Sequence, residues 1–295
     1  MSDIQALLRT DLRDFAGYRS ARSEARDGEI WLNANESPWP NGADADGACR
    51  RYPDPQPSAL IAALAGLYGC APEQILLGRG SDEAIDVLIR ACCVPGDDAI
   101  VVTPPVFGMY AVSARLHGVR VIDVPLRDGA RDFEVDLACV ADFAIENRAK
   151  IVFLCSPGNP AGGAIARRDI LGLARALHGH ALVAVDEAYV EFADVTSLAP
   201  SVAGQTNLVV LRTMSKAHAL AAARIGCAIA DVALVAALRR CQAPYPVPAP
   251  CAAVALAALH PAALRDTGRR IEILREERAR VGAALTASAG VRRVY

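Results

Sequence analysis

The chain has 295 residues, of which 53% are hydrophobic and 22% are charged, and its formal net charge at pH 7 is -2. This composition supplies enough apolar side chains for a sizeable core and excludes an intrinsically disordered chain. The small net charge gives no electrostatic basis for binding nucleic acid or an anionic membrane. The length predicts one large domain with a smaller companion.

The nine cysteines are scattered and contain no Cys-x-x-Cys pair. An odd, unpatterned set predicts reduced thiols in the cytoplasm, with neither a disulfide framework nor a metal site. The first residues lack a basic segment followed by an apolar one, so no signal peptide is expected. No uncharged apolar segment is long enough to span a bilayer, and no membrane association is predicted.

In chain order, the first 55 residues are polar and rich in proline, and they are predicted to form an extended arm. A helix is expected from about residue 57 to residue 68, where apolar residues recur at helical spacing. Short apolar segments then alternate with amphipathic ones. Strands are predicted at 75–78, 99–103, 119–124, 150–155, 181–185, 207–211 and 225–230, and helices at 81–92, 106–117 and 167–177.

Strands that are continuously apolar are typical of a sheet covered by helices on both faces, which predicts an α/β domain over residues 51–240. Residues 1–50 would form an arm, and residues 241–295 a separate C-terminal unit that begins with a proline-rich joint. That unit is predicted to contain a long helix over 261–287. Its inward-facing side chains are predicted to be Leu264, Ile271, Leu274, Val281 and Leu285.

Lys216 is one of only two lysines among 31 basic residues, and the other, Lys150, is expected at the solvated start of a strand. Because arginine serves elsewhere as the positive charge, a lysine here indicates chemistry that needs a neutral amine, such as imine formation with an aldehyde. Ser215 precedes Lys216 and Arg224 follows eight positions later, as expected beside a phosphate site. A loop lysine without a catalytic role is the alternative.

Further candidate residues follow other predicted strands at their carboxyl ends, where open α/β sheets bind ligands. Gly80 and Ser81 begin a helix whose free backbone N–H groups suit a phosphate, provided that the Asp82 carboxylate turns away. An ordinary strand–helix turn is the alternative. Phe107 and Tyr110 follow two prolines, and either ring could stack on a flat cofactor or belong to the core.

Two more clusters carry polar groups suited to a heterocycle. Asn159 lies in a hinge rich in proline and glycine, and Asp186 ends an apolar strand with Tyr189 three positions later. A carboxylate at a strand end can keep a ring nitrogen protonated, although a helix-capping Asp and a loop Asn are the alternatives. Taken together, the clusters indicate pyridoxal 5'-phosphate (PLP) as the ligand.

These clusters belong to motifs over which the sequence resembles the fold-type I aminotransferases, and among them the histidinol-phosphate aminotransferases. The matching segments are 18–22, 31–36, 51–57, 80–83, 104–110, 156–160, 186–192, 211–217 and 243–246. The resemblance covers nearly the whole chain. It implies a PLP-dependent transferase fold with a mostly parallel mixed sheet flanked by helices and a truncated small C-terminal domain, to which residues 1–50 also contribute.

The resemblance also implies a role for each candidate residue. Lys216 would bind the cofactor's aldehyde and move a proton, and Asp186 would pair with the ring nitrogen. Tyr189 and Asn159 would bind the ring hydroxylate, while Phe107 would stack on the ring. The other implied cofactor-binding residues are Gly80, Ser81, Asp82, Ser215, Arg224 and, from a neighbouring subunit, Tyr52.

Because Tyr52 would reach the cofactor of a neighbouring subunit, the resemblance implies a homodimer. Tyr18 of the neighbouring subunit, Asn35 and Tyr245 would line the substrate pocket. The implied reaction moves an amino group between L-histidinol phosphate and 2-oxoglutarate, giving imidazole-acetol phosphate and glutamate in histidine biosynthesis.

The sequence departs from the family in places. Family members continue beyond Tyr295 and carry there an arginine that binds the anionic group of the substrate, so the anion pocket is expected to be incomplete. Gly158, Ala161 and the pair Ala222 and Ala223 also differ from the usual residues. The alternatives are another fold-type I enzyme, such as threonine-phosphate decarboxylase or an aromatic aminotransferase, and an inactive PLP-binding homologue that dimerises.

Overall fold

The computed structural model describes residues 3–18, 30–44, 46–130 and 132–295. The helices are α1 (Asp3–Leu7), α2 (Ser58–Tyr68), α3 (Ser81–Cys92), α4 (Met109–Leu116), α5 (Leu137–Glu146), α6 (Arg167–Ala176), α7 (Val232–Cys241), α8 (Ala249–Ala258) and α9 (Pro261–Thr286). The strands are β1 (Ile75–Arg79), β2 (Ala99–Val102), β3 (Arg120–Asp123), β4 (Arg127–Asp128), β5 (Phe133–Glu134), β6 (Ala149–Cys155), β7 (Leu182–Asp186), β8 (Leu208–Thr213) and β9 (Ile225–Ile229).

Seven strands form one sheet in the order β1-β9-β8-β7-β6-β2-β3, and β4 pairs with β5 in a separate ribbon. Within the described part of the seven-stranded sheet, only β9 runs against its neighbours, since it is antiparallel to both β1 and β8 while the other neighbouring pairs of that sheet are parallel. The predicted α/β class, with a mostly parallel mixed sheet flanked by helices, is confirmed.

Two apolar cores cover the two faces of this sheet. Side chains alternate between faces along each strand, so Val152 and Leu154 of β6 join one core while Ile151 and Phe153 join the other. Helices α2, α5, α6 and α8 pack on the first face, and α1, α3, α4 and α7 on the second. This double cover explains why the strands are continuously apolar in sequence.

The shared strand direction brings distant segments to one edge of the sheet. Strands β1, β2, β6, β7 and β8 all end at this edge, and the antiparallel β9 begins there. Gly226 of β9 faces the turn at Gly80 and Ser81 so closely that a Cβ atom on Gly226 would overlap their backbone atoms. The segments that carry the candidate residues therefore converge on one place.

The structure differs from the predicted extended arm at the N-terminus. Residues Asp3–Leu7 form the short helix α1, in which Ile4 and Leu7 are buried beside α7. Five helical residues are too few for an apolar periodicity to show in the sequence. Within the motif at 18–22, positions 19–22 lie outside the described residues.

The predicted burial of the long helix is wrong for part of its length. Residues Leu274, Val281 and Leu285 are 54%, 43% and 43% exposed, and Leu264 and Ile271 are only half-buried. Helix α9 meets the rest of the chain mainly at α8 and at the short helical turn Val190–Phe192. Apolar spacing predicted the helix, but it could not say how much of the apolar stripe is covered.

Several elements begin elsewhere than predicted or were not predicted. Helix α4 begins at Met109 instead of near residue 106, because the segment after Pro104 and Pro105 bends before the helix can start. Helices α5, α7 and α8 and the β4–β5 ribbon were missed. Within the described ranges, the helices are all too short or too polar to cross a membrane.

Replacing Gly226 with Ala is predicted to destabilise the protein by about 2 kcal/mol or more, because backbone must shift to admit the new Cβ atom. Gly66 is a matched control, since it lies exposed in α2 with open space around its Cβ position. Gly66→Ala should stabilise the helix by about 0.5–1 kcal/mol. Urea unfolding followed by circular dichroism measures both changes, and an equal response of the two variants would contradict the close approach.

Candidate active site

A cavity of about 150 Å³, partly open to solvent, lies at the edge of the sheet where the strands converge. Its lining residues are Gly80, Ser81, Asp82, Phe107, Cys155, Asn159, Asp186, Ala188, Tyr189, Thr213, Ser215, Lys216, Ala221 and Arg224. This set contains all the cofactor-binding residues predicted for the chain except Tyr52. The structure therefore brings together side chains that are separated by up to 144 positions in sequence (80 to 224).

Arg224 brings a positively charged group to the lining of the cavity. Its guanidinium donates to Asp82 at 2.8 Å, and it lies where a Cβ on Gly80 would be only 2.7 Å away. Gly80 has a φ of 80°, a conformation that glycine adopts without strain, and it precedes the free N–H groups that begin α3. An anion placed here would meet both the guanidinium and the N-terminus of the helix.

The two acidic residues of this turn behave differently. Glu83 turns away from the cavity and accepts hydrogen bonds from Arg79, at 2.6 Å from its backbone N–H and at 3.2 Å from its guanidinium. The phosphate interpretation required the Asp82 carboxylate to turn away, whereas this carboxylate lines the cavity and pairs with Arg224. The ion pair compensates the carboxylate charge that would otherwise repel an anion.

Two hydroxyl groups lie beside Lys216. The Ser215 backbone N–H donates to the Thr213 hydroxyl at 3.1 Å, and that hydroxyl donates to Ser215 Oγ at 3.0 Å. Thr213 is the last residue of β8 and lines the cavity, although the sequence analysis did not single it out. Its position at the carboxyl end of a strand was the available signal.

Lys216 and Tyr189 face each other in the cavity. The Lys216 ammonium nitrogen lies 5.6 Å from the centre of the Tyr189 ring. Asn159 donates from its side-chain amide to the Tyr189 hydroxyl at 3.3 Å. The phenol, the amide and the amine thus form one polar wall, although they come from three different loops.

Asp186 ends β7 and is only 3% exposed. One carboxylate oxygen accepts from the Tyr110 hydroxyl at 2.8 Å, and the other accepts from the Ala188 backbone N–H at 3.0 Å. Burial raises the pKa of Asp186, while these two donors lower it in part. Both donors found among the described residues are neutral, so the carboxylate is desolvated without a cationic partner.

This environment fits the ring of PLP. A desolvated carboxylate that lines a cavity is stabilised by a cation, and a protonated pyridine nitrogen is one. The lining of the same cavity also offers Arg224 and the start of α3 to a phosphate group. The Asp186 carboxylate, the anion site and the Lys216 amine therefore match the ring nitrogen, the phosphate and the aldehyde of the cofactor.

Glu187, the residue after Asp186, lies outside the cavity. It is buried with Arg212 of β8, whose guanidinium donates to Glu187 at 3.2 Å and also pairs with Glu191. The Leu198 backbone N–H donates to the other Glu187 oxygen at 2.7 Å. Burial raises the pKa of Glu187, and the Arg212 charge opposes this change. Glu187 thus belongs to a structural ion-pair network behind the site.

The remaining predicted site residues lie away from the cavity. Tyr52 stacks on Tyr245, with ring centres 4.6 Å apart and an angle of 17° between the planes. Tyr18 is 69% exposed and lines a separate pocket, and Asn35 is exposed with a φ of 53°. Within one chain, the structure does not bring these four side chains to the cavity.

A mostly parallel α/β sheet whose carboxyl edge joins a lysine, a buried acid and an anion site defines a fold-type I enzyme that uses PLP. The family model "Aminotransferase class I and II" matches residues 19–294. The chain belongs to this family of aminotransferases.

Curated relatives agree with this assignment. The chain is 61% identical over 294 residues to the histidinol-phosphate aminotransferase of Xanthomonas euvesicatoria pv. vesicatoria, a match that covers 100% of this chain and 81% of that protein. It is 60% identical over 295 residues to the enzyme of the same name from Stenotrophomonas maltophilia, with the same coverage.

Several solved structures are similar to this chain in fold. The histidinol-phosphate aminotransferase of Sinorhizobium meliloti, in complex with pyridoxal-5'-phosphate, matches with a TM-score of 0.74 and 28% identity, covering 86% of this chain and 70% of that one. The Clostridium acetobutylicum enzyme gives the same TM-score at 21% identity, covering 86% and 74%, which supports the fold.

Arg212→Met is predicted to destabilise the protein by about 3 kcal/mol, because Glu187 would keep a buried charge without its cation. Arg280 is a suitable control, since it pairs with Glu277 on the exposed surface of α9. Arg280→Met should leave the unfolding midpoint unchanged, as solvent screens an exposed pair. Thermal unfolding measures both variants, and a midpoint for Arg212→Met equal to that of the wild type would contradict the network.

Proposed function

We propose that the protein is a PLP-dependent transaminase that moves an amino group between L-histidinol phosphate and 2-oxoglutarate, producing imidazole-acetol phosphate and glutamate in histidine biosynthesis. The observation that carries this proposal is the single cavity that joins Lys216, Asp186 and Arg224. The named relatives, about 60% identical over the whole chain, support the choice of substrate.

Bound PLP supplies an aldehyde that can accept an amino group and a ring that withdraws electrons from the bond being broken. We assign the covalent binding of PLP to Lys216. Its amine would hold the cofactor through the aldehyde and, once released, would carry a proton to and from the substrate carbon. The Tyr189 ring, whose centre lies 5.6 Å from the Lys216 nitrogen, would border the place where this amine meets the cofactor.

The other cavity residues would bind and orient the cofactor. Asp186 would pair with the ring nitrogen and so gain the cation that its buried carboxylate lacks. Tyr189 and Asn159, already joined by a hydrogen bond, would hold the ring hydroxylate, and Phe107 would cover one face of the ring. The residues assigned to the phosphate end are Gly80, Ser81, Asp82, Ser215 and Arg224, with Asp82 acting through its ion pair with Arg224.

We further propose a homodimer that completes each site. Tyr52 of one subunit would reach the cofactor phosphate of the other, and Tyr18 from the neighbour, with Asn35 and Tyr245, would line the substrate pocket. Their exposure within one chain supports this proposal, since Tyr52 is 49% and Tyr18 is 69% exposed. A large domain over 51–240 between segments 1–50 and 241–295 stays a prediction.

A cytoplasmic location is also proposed. All nine cysteines are free, and four of them are buried, as expected of a protein that folds where thiols remain reduced. Nucleic-acid partners are not expected, because a net charge of -2 gives the chain no excess of positive charge to attract phosphates.

The purified protein is expected to bind PLP and to transfer the amino group of histidinol phosphate to 2-oxoglutarate in preference to phenylalanine or threonine phosphate. Lys216→Ala should lower kcat at least about a hundredfold, because the group that moves the proton is lost. Borohydride reduction and peptide mapping should locate the trapped cofactor at Lys216. Lys150→Ala, which removes the only other lysine, is the matched control and should keep activity.

The outcomes of this assay separate the candidate functions. Preferred turnover of phenylalanine, or carbon dioxide release from threonine phosphate, would replace the proposed substrate while keeping the cofactor. Protein that binds PLP at Lys216 but processes none of the three amines would be an inactive homologue. Failure to bind PLP would contradict the assignment of the whole site.

The homodimer proposal predicts complementation between two inactive variants. Tyr52→Ala and Lys216→Ala should each be impaired alone, since each removes one contribution to every site. Refolding an equal mixture should restore roughly one quarter of wild-type activity, because half of the dimers would be mixed and each would contain one intact site. Activity that stays at the sum of the separate variants would show that Tyr52 does not act across subunits.

A further inference from the structure

We propose that Tyr110 is a positioning residue, which holds the Asp186 carboxylate in the orientation that the cofactor's ring nitrogen requires. This inference rests on the proposed function. Tyr110 belongs to α4 and its side chain is completely buried. It is absent from the residues that line the cavity, so it would act on the cofactor through lining neighbours, and Asp186 is the one that accepts its hydrogen bond.

The hydrogen bonds of Asp186 show why a second donor matters. The Ala188 backbone N–H donates to one carboxylate oxygen at 3.0 Å, and the Tyr110 hydroxyl donates to the other at 2.8 Å. One donor on each oxygen fixes the plane of the carboxylate, which a single donor would leave free to rotate. A carboxylate oxygen can accept two hydrogen bonds, so each oxygen keeps a lone pair for a partner in the cavity.

Tyr110 is itself held rigidly. Its ring stacks on Phe153 of β6 with ring centres 4.9 Å apart and an angle of 5° between the planes. It also meets the ring of Phe107 in an edge-on contact at 5.7 Å and 83°. Because Phe107 lines the cavity, one buried side chain supports both the acid and the aromatic ring that are proposed to contact the cofactor.

The charged groups around Asp186 also support a positioning role for Tyr110. Burial raises the pKa of Asp186, and the nearby Asp82 and Glu187 raise it further, while the hydrogen bond from Tyr110 is the strongest influence that lowers it. Cys155 faces this group from β6 as a neutral thiol, since burial raises its pKa to about 11. The Tyr110 hydroxyl therefore helps to keep the carboxylate ionised, the form that pairs with a cationic ring.

The test uses Tyr110→Phe, which removes only the hydroxyl, and measures PLP binding to the apoprotein by titration. The dissociation constant should rise roughly ten- to a hundredfold, as expected for losing a hydrogen bond to a charged group. The pH below which binding fails should also move upward, since Asp186 then protonates more easily. Tyr68→Phe is the matched control, because it removes another buried tyrosine hydroxyl away from the cavity and should change neither quantity.

A double-mutant cycle separates positioning from a general structural effect. In an Asp186→Asn background, where the carboxylate charge is absent, Tyr110→Phe should change PLP affinity by no more than about twofold. An equal loss in both backgrounds would overturn the inference, and so would a Tyr110→Phe variant that binds PLP as well as the wild type.

A third variant keeps the inference testable if Tyr110→Phe does not fold. Site-specific 3-fluorotyrosine at position 110 retains the ring and makes the hydroxyl a stronger donor, so the acid limit of PLP binding should move to lower pH. An unchanged limit would overturn the inference. Wild-type protein that fails to bind PLP would instead defeat the proposed function, which distinguishes the two failures.

Discussion

The burial of Asp186 is the physical constraint on which the arrangement of the site depends. Asp186 is the last residue of a central strand and is 3% exposed. Among the described residues, its carboxylate accepts hydrogen bonds from neutral donors only. Desolvating a charge is costly unless a cation or several donors compensate for it. The Tyr110 hydroxyl and the Ala188 backbone N–H reduce this cost without removing it, so a cationic ring in the cavity would contribute the positive charge that these donors lack.

The neighbouring residue shows the other way to bury an acid. Side chains alternate along an extended segment, so Asp186 faces the cavity while Glu187 faces the opposite side. Glu187 is compensated within the chain by Arg212, which makes it part of the scaffold. Adjacent carboxylates at the end of one strand thus differ in function because only one of them has an internal cation.

Much of this arrangement could be predicted from sequence, because apolar strands and their direction follow from general rules. Runs such as 150–155 and 181–185 predicted the strands, and their shared carboxyl edge predicted that Asn159, Asp186 and Lys216 would meet. The hydrogen bond between Tyr110 and Asp186 could not be predicted. The two residues are 76 positions apart, and the sequence pattern allowed the Tyr110 ring either to stack on a cofactor or to belong to the core. The exposure of α9 and the pairing of Asp82 with Arg224 likewise depend on tertiary contacts that periodicity does not encode.

Outside the cavity, the aromatic pair Tyr52 and Tyr245 is another case in which a neighbouring side chain fixes an orientation. Tyr52 stacks on Tyr245, so its half-exposed ring is held in one orientation by a neighbour instead of moving freely in water. A side chain ordered in advance loses little conformational entropy when it meets a second surface. The cavity holds the groups suited to a ring and a phosphate, whereas this pair presents a rigid phenol to the outside. In the proposed dimer, this ordered phenol would therefore meet the site of the neighbouring subunit at little cost in conformational entropy.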